Sequence, residues 1–181
     1  ISAALFVATT PSVTFAREDS MRLEEVIVTA QKRAQSLQDV PIAITAISAQ
    51  MMQSQNIFDV LDLQKAVPSL TIIKGYNRAN GVPVVIRGMG TLGAQPAFEG
   101  SVGTYVDGIY RPRPGMVLSS MLDLGQVEIL RGPQGTLFGK NTTAGAITMT
   151  SNAPEEEFGY GAEITLGDYD RQRFVGHVTG P

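Results

Sequence analysis

The sequence predicts an α+β domain built on a small mixed β-sheet with short helices. Two observations lead to this class: short β-branched runs recur along the chain, and short segments with helix-capping or helix-stopping residues lie between them. A third observation sets the end of the chain apart. From Phe158 onward, apolar residues alternate with small or polar ones, which is the two-residue period of a strand.

In the first half of the chain, strands are expected to alternate with short helices. The predicted elements are, in order, a β-prone run at Leu23–Ala30, a flexible polar connector at Gln31–Asp39, a strand at Val40–Ile47, a helix capped by Ser48 and running through Met52, a helix at Phe58–Val67 and a strand at Leu70–Ile73. Pro68 is expected to end the second helix, because a proline ring is incompatible with a helix interior.

The second half is predicted to hold strands, a hairpin and one more helix. The predicted elements are a strand at Val82–Arg87, a strand pair at Val102–Tyr110, a helix at Met116–Leu124 and the segment Gln126–Thr150, with loops at Gly75–Gly81 and Gly88–Gly100. Asp107-Gly108 is the strongest two-residue hairpin signal in the chain.

The segment Gln126–Thr150 carries more information than any other part. An apolar strand ends in Arg131, a loop rich in Gly and Pro follows, and small residues then run into a second strand. Gly132, Gly135 and Gly139 are expected to take backbone conformations that other residues avoid.

The composition is that of an ordinary globular chain and excludes several classes of function. The 181 residues are 43% hydrophobic and 17% charged, with a net charge of −3, and the absence of a basic cluster argues against a nucleic-acid partner. The chain has no cysteine, so disulfides and thiolate metal sites are excluded, and His177 has no second histidine to help it bind a metal. No metal and no cofactor are expected.

Residues 1–16 are expected to be part of a secretory signal peptide. They are apolar or small and end in Thr14-Phe15-Ala16, with small residues at positions −3 and −1 of a cleavage site. A short buried strand or helix is the alternative. Because no run reaches the roughly 20 apolar residues of a membrane helix, export would lead to the periplasm or the outer membrane.

Two motifs of nucleotide-binding proteins match only in part. Gly88–Gly93 has the glycine spacing of a dinucleotide fingerprint, but Gln95-Pro96 follow where a helix should begin. In a phosphate loop four residues separate the two glycines, whereas Gly135 and Gly139 enclose three. No catalytic set can be assembled, so an enzyme is not expected.

Two strands end in the same way, with an arginine and a glycine after apolar residues. The pairs are Arg87-Gly88 and Arg131-Gly132. A buried arginine would need an acidic partner, because an uncompensated buried charge is costly. No acidic cluster in this chain can serve both arginines, so either they are exposed or their partners lie elsewhere.

The segment after Phe158 has two interpretations. Phe158, Tyr160, Ala162, Ile164 and Leu166 alternate with small or polar residues, as in a barrel strand with one lipid-facing side and a wet interior. The alternative is a half-buried strand of a soluble sheet. The expected turn lies at 167–170, and a second strand is predicted from 173 to 179.

Four segments, in this order, resemble the plug domain of TonB-dependent outer-membrane receptors. They are Asp62–Leu70, Ile86-Arg87-Gly88, Tyr105-Val106-Asp107-Gly108 and Gln126–Thr150. The resemblance implies a plug inside the lumen of a transmembrane antiparallel barrel of about 22 strands. It divides the chain into a partial signal peptide at 1–16, a periplasmic tether at 17–39, the plug domain at 40–154 and the first barrel hairpin at 155–181, cut off at Pro181.

The resemblance also implies the partners and the site residues. The TonB box, which adds as a strand to the periplasmic domain of TonB, would be Glu24, Glu25, Val26, Ile27, Val28, Thr29 and Ala30. Arg87 and Arg131 would contact glutamates of the protein's own barrel wall. The ligand-binding apical loops would contribute Tyr76, Arg78, Phe98, Tyr110, Arg111 and Arg113.

By the same resemblance, the protein would lie in the bacterial outer membrane, in contact with its lipid, with the TonB box facing the periplasm. It would import a scarce nutrient such as a ferric siderophore, with energy transmitted by TonB. The alternative is a soluble periplasmic binding or adaptor domain without a barrel.

Overall fold

The computed structural model describes residues 26–29, 31–73, 82–91, 99–112, 121 and 123–181. The strands are β1 (Ile27–Val28), β2 (Gln35–Ser36), β3 (Ala43–Ser48), β4 (Leu70–Ile72), β5 (Val84–Ile86), β6 (Met89–Gly90), β7 (Val102–Val106), β8 (Ile109–Tyr110), β9 (Leu124–Arg131), β10 (Gly145–Ser151), β11 (Gly159–Gly167) and β12 (Arg171–Thr179). The α-helices are α1 (Ala49–Ser54), α2 (Leu63–Ala66) and α3 (Gly135–Phe138), and two 3-10 helices lie at Leu37–Asp39 and Val60–Asp62. Among these residues no helix has the length and apolar character needed to cross a membrane.

The predicted small mixed sheet is confirmed. Five strands lie in the order β3-β9-β10-β7-β8. The pair β10–β7 is parallel and the neighbouring pairs are antiparallel. A second sheet has the order β4-β5-β6, and β1–β2 and β11–β12 form two-stranded antiparallel pairs.

The two faces of the five-stranded sheet bury different clusters. On the helix face, Val127 and Ile129 of β9 pack with Leu63 of α2 and Ile86 of β5 in the larger cluster. On the opposite face, which we call the β1 face, Leu130 packs in a smaller cluster under the β1–β2 pair. Because side chains alternate along a strand, Gln126, Glu128 and Leu130 share the β1 face.

The helix predictions are correct where a capping residue sets the start of the helix, and they are wrong elsewhere. Helix α1 begins as predicted, with the Met51 backbone N–H donating to Ser48 Oγ at 3.3 Å. The helix expected over Phe58–Val67 is a 3-10 turn followed by α2, because Asp59 and Asp62 form a capping box that delays the start. The helix expected over Met116–Leu124 is wrong at its end, since Leu124 begins β9; residues 116–120 lie outside the described residues.

The prediction of a flexible connector at Gln31–Asp39 is wrong. Strand β2 and the 3-10 helix Leu37–Asp39 lie within it, and β2 pairs antiparallel with β1. Leu37 and Val40 also pack in the cluster of the β1 face. The polar sequence therefore conceals an ordered segment whose conformation depends on its partner strand.

The turn predictions hold at most positions. Asp107 and Gly108 have φ values of 50° and 77° and join β7 to β8, as the hairpin signal predicts. Gly132 and Gly139 also have positive φ, at 108° and 79°. Gly135 does not, because it is the first residue of α3, which the sequence did not predict.

Gly145 is required by packing. A Cβ on Gly145 would overlap the carbonyl oxygen of Leu130 and lie 2.8 Å from Ile86 Cδ1. We expect Gly145→Ala to weaken the sheet by about 1–3 kcal/mol, as overpacking does. In the intact protein, hydrogen exchange of β9 and β10 amides should then quicken roughly 5- to 150-fold.

The matched control for this change is Gly135→Ala. A Cβ on Gly135 would have no heavy atom within 4 Å, and the residue lies in α3, where alanine is favourable. Its exchange rates should match those of the unmodified protein. Equal rates for both variants would contradict the steric argument.

The β11–β12 hairpin leaves its apolar side uncovered. Tyr160 pairs with Val178 and Ile164 with Phe174, and these four side chains are between 66% and 82% exposed. On the other side, the Arg173 guanidinium lies 4.3 Å from the centroid of the Phe58 ring. The polar side of the hairpin thus faces the mixed-sheet domain.

Candidate functional site

Two residues of the predicted TonB box, Ile27 and Val28, form strand β1, which pairs with β2. Val26 and Ile27 are 41% and 55% exposed, whereas Val28 is 1% exposed. Glu24, Glu25 and Ala30 lie outside the described residues. The segment is therefore partly displayed and partly buried.

Val28 anchors the segment on the β1 face. It packs in a cluster with Ile44 of β3, Leu130 of β9, Ala146 of β10 and Tyr105 of β7. One side chain thus contacts a surface built from four strands of the five-stranded sheet. Leaving this cluster would expose apolar area that is now buried.

Hydrogen bonds hold both backbone edges of the segment. On one edge, β1 pairs with β2, and the Leu37 N–H donates to the Val26 carbonyl at 2.9 Å. On the other edge, Gln126 Nε2 donates to the Ile27 carbonyl at 3.0 Å, and the Thr29 N–H donates to Glu128 Oε1 at 2.6 Å. Side chains of β9 thus take the place of a second partner strand.

Glu128 is the most unusual residue of the site, since it is 1% exposed in the middle of the sheet. Besides the bond from the Thr29 N–H, it accepts hydrogen bonds from Thr29 Oγ1 at 3.2 Å, Gln126 Nε2 at 3.1 Å and Thr148 Oγ1 at 3.2 Å. The two ion pairs found among the described residues are Lys65–Asp62 and Lys140–Glu99, so no cation there compensates Glu128.

The sequence prediction missed Glu128 although a signal was present. A charged residue inside the apolar run Val127–Leu130 carries the same burial cost as the arginine that ends the strand. Its donors come from Thr29, 99 residues away, and from the next strand. It does not pair with Arg131 because the two residues are three apart and point to opposite faces of the sheet.

A cavity of about 350 Å³ adjoins the docked segment. Thr29 and the following residues line it on one side, and the sheet lines it on the other. The lining residues are Thr29, Lys32, Arg33, Ala34, Tyr105, Gly108, Leu137, Phe138, Thr148, Met149 and Thr150. The chain after β1 therefore bridges an open space and is not packed throughout.

The two strand-ending arginines lie at the same end of the domain but differ in environment. Arg87 is exposed, and Arg131 is half-buried. Ile86 reaches Gly145, which pairs with Arg131, so the ends of β5 and β9 are neighbours. Within the described part of the chain, buried Nε of Arg131 has no hydrogen-bond partner.

Two of the predicted ligand-binding residues can be placed. Tyr110 lies with its ring centroid 5.4 Å from that of Tyr105, and its hydroxyl accepts a hydrogen bond from Asn141 Nδ2 at 3.1 Å. Arg111 follows β8 and is exposed. The other four, Tyr76, Arg78, Phe98 and Arg113, lie outside the described residues.

Tyr105 joins the 126–150 segment to this region. Burial raises the pKa of Tyr105, and the neighbouring Tyr110 raises it further. The phenol therefore stays protonated at neutral pH. It donates a hydrogen bond to the Phe138 carbonyl at 2.6 Å, and the two rings lie 4.9 Å apart. Helix α3 is thereby fixed beside the cavity.

Comparison with known proteins identifies the domain. The sequence profile of the TonB-dependent Receptor Plug Domain matches residues 36–146, more than half of the chain. The chain is 28% identical, over 92% of its length, to the iron-regulated outer membrane virulence protein of Vibrio cholerae, and 27% identical, over 94%, to the pesticin receptor of Yersinia pestis. It spans 27% and 25% of these two relatives.

Solved structures give the same result. The ferric yersiniabactin uptake receptor FyuA of Yersinia pestis matches with a TM-score of 0.68 and 28% identity, covering 77% of this chain and 22% of that one. The ferripyoverdine receptor of Pseudomonas aeruginosa shares the fold, with a TM-score of 0.70 and 21% identity, covering 86% and 20%. With its mixed sheet and its profile match, this chain belongs to the TonB-dependent receptor plug domain family of bacterial outer-membrane receptors.

Proposed function

We propose that this chain is the plug portion of a receptor that imports a ferric siderophore across the outer membrane with energy from TonB. The observation that carries the proposal is strand β1, a β-branched segment held on a plug-family sheet by a few hydrogen bonds and one buried side chain. Such a segment suits strand addition to a partner sheet. FyuA, named as a ferric yersiniabactin uptake receptor, supports the ligand class.

In this proposal each part of the chain has a role. The ligand binds at the extracellular side, partly on loops that hold Tyr76, Arg78, Phe98, Tyr110, Arg111 and Arg113. Aromatic and guanidinium groups suit aryl-bearing, anionic ligands. Ligand binding releases residues 24–30 to the periplasm, where TonB binds them and remodels the plug.

Arg87 and Arg131 are proposed to contact acidic side chains of the barrel wall. The buried, unpaired Nε of Arg131 supports this role, because buried polar groups in folded proteins nearly always have partners. The neighbouring ends of β5 and β9 would let one acidic region of the wall serve both arginines.

The division of the chain follows from the same proposal. Residues 1–16 are a partial signal peptide, 17–39 the tether, 40–154 the plug and 155–181 the first barrel hairpin. The uncovered apolar side of β11–β12 supports a lipid-facing strand pair over the alternative of a soluble periplasmic adaptor domain.

The test is energised uptake by the full-length receptor in an iron-starved strain that lacks its other receptors. Uptake of ⁵⁵Fe bound to yersiniabactin or pyoverdine should require both the receptor and TonB. Hemin and vitamin B12 serve as competing ligand classes. TonB-dependent uptake of either competitor alone would overturn the siderophore assignment, and no uptake of any ligand would overturn the transport function.

A further inference from the structure

We propose that Glu128 is the latch that keeps the TonB box docked on the plug, and that TonB binding requires this latch to open. The inference rests on the proposed function, since it takes residues 24–30 as the TonB-binding segment. It adds a named positioning residue, the side chain that holds this segment on the plug.

Both backbone edges of the docked segment have hydrogen-bond partners. A strand can add to a partner's sheet only through a free backbone edge. Strand β2 occupies one edge of β1, and Gln126 and Glu128 occupy the other. Docking on the plug and strand addition to TonB therefore exclude each other for residues 26–29.

The contacts that β9 makes with the segment follow the two-residue period of a strand. Gln126, Glu128 and Leu130 are alternate residues of β9, so all three point to the β1 face. Gln126 binds the Ile27 carbonyl, Glu128 binds the Thr29 N–H, and Leu130 packs with Val28. One row of side chains thus recognises three consecutive residues of the box.

Glu128 receives half of its hydrogen bonds from the docked segment. An ionised carboxylate only accepts hydrogen bonds. Within the described residues its four hydrogen bonds come from uncharged donors, and two of the four come from Thr29. When the box leaves, Glu128 loses half of these donors, so water must enter and undocking is coupled to hydration of the carboxylate.

Glu128 recognises Thr29 through two donors of that one residue. Thr29 offers both its backbone N–H and its hydroxyl to Oε1 of Glu128, at 2.6 and 3.2 Å. Thr148 Oγ1 of β10 donates to the other oxygen, Oε2, at 3.2 Å. The carboxylate is thus fixed by β10 and directed at the box.

The test uses the full-length receptor with Val28→Cys as its single cysteine, since Val28 is 1% exposed when docked. Glu128→Gln keeps the size of the side chain but removes the charged acceptor. We expect maleimide labelling at position 28 to quicken roughly 5- to 30-fold in this variant. The matched control is Glu156→Gln, the same change at an exposed glutamate of the loop before β11, which should leave the rate unaltered.

A second reporter separates latch opening from general loosening. Ile147→Cys, also 1% exposed but in the cluster of the helix face, should label slowly with or without Glu128→Gln. Equal acceleration at both reporters, or none at position 28, would overturn the latch. If the Glu128→Gln receptor does not assemble, the Gln126→Ala receptor takes its place in the test. This change removes the hydrogen bond to the Ile27 carbonyl and should also quicken labelling at position 28.

The partner is tested with the purified periplasmic domain of TonB. We expect Glu128→Gln, without any nutrient, to raise the affinity of the receptor for this domain by a similar factor. An unchanged affinity despite faster labelling would overturn the competition. If the domain binds no variant at all, the TonB box assignment fails, while the labelling result still decides whether Glu128 holds the segment.

Discussion

Replacing Ile27 with proline is expected to abolish uptake by the full-length receptor while surface ligand binding stays intact. A proline lacks the backbone N–H and cannot donate to a partner strand. The lost hydrogen bond leaves an acceptor unpaired at a cost of about 1–3 kcal/mol, which corresponds to roughly 5- to 150-fold weaker binding of TonB. The loops proposed to bind ligand are built from other parts of the chain, so whole-cell binding of labelled ligand should not change.

The control for this change is Ile27→Val, which keeps the N–H and the β-branched shape. Uptake should stay close to the unmodified level, because Ile27 is 55% exposed and contributes little to the core. Normal uptake by Ile27→Pro would remove residues 24–30 from the role of TonB box.

Neutralising Arg131 is expected to loosen the plug inside the intact receptor. If its guanidinium compensates a buried acid of the barrel wall, Arg131→Met leaves that acid uncompensated, at a cost of about 3–5 kcal/mol. Hydrogen exchange of β9 and β10 amides should then quicken by roughly 100-fold or more. Arg87→Met should act in the same direction, because Arg87 is proposed to contact the same wall.

Arg33→Met is the matched control, since Arg33 is exposed and belongs to the chain segment beside the cavity. Its exchange rates should equal those of the unmodified receptor. If Arg131→Met behaves like this control, the arginine is a solvated strand end, which is the alternative that the sequence left open.

The elements that the sequence predicts well are those decided by neighbouring residues. Ser48 caps α1 through a donor three residues away, and Asp107-Gly108 turns the chain through its own backbone angles. Strand β9 is recognised because its apolar run is long enough to be read alone. Each of these depends on local physics and needs no knowledge of the rest of the fold.

The parts that the sequence conceals depend on distant partners. Strand β2 is polar and short, and it forms because β1 lies beside it. Glu128 is identifiable as a charge within an apolar strand, but its partner Thr29 is 99 residues away and cannot be read from spacing. The acidic partners proposed for Arg87 and Arg131 belong to the same class and stay predictions.

The position of β3 in the sheet determines how tension on the N-terminal chain would reach the plug. From Thr29 the chain passes through β2 and enters the five-stranded sheet at Ala43, the first residue of an edge strand. Ala43 pairs with Arg131, and the pairs that follow it lie in line up to Ser48 with Gln126. A force directed across the strands therefore breaks these pairs one after another and separates β3 from β9. The remaining strands, β9, β10, β7 and β8, keep their mutual pairing, so such a force opens the sheet first at the edge through which the chain enters.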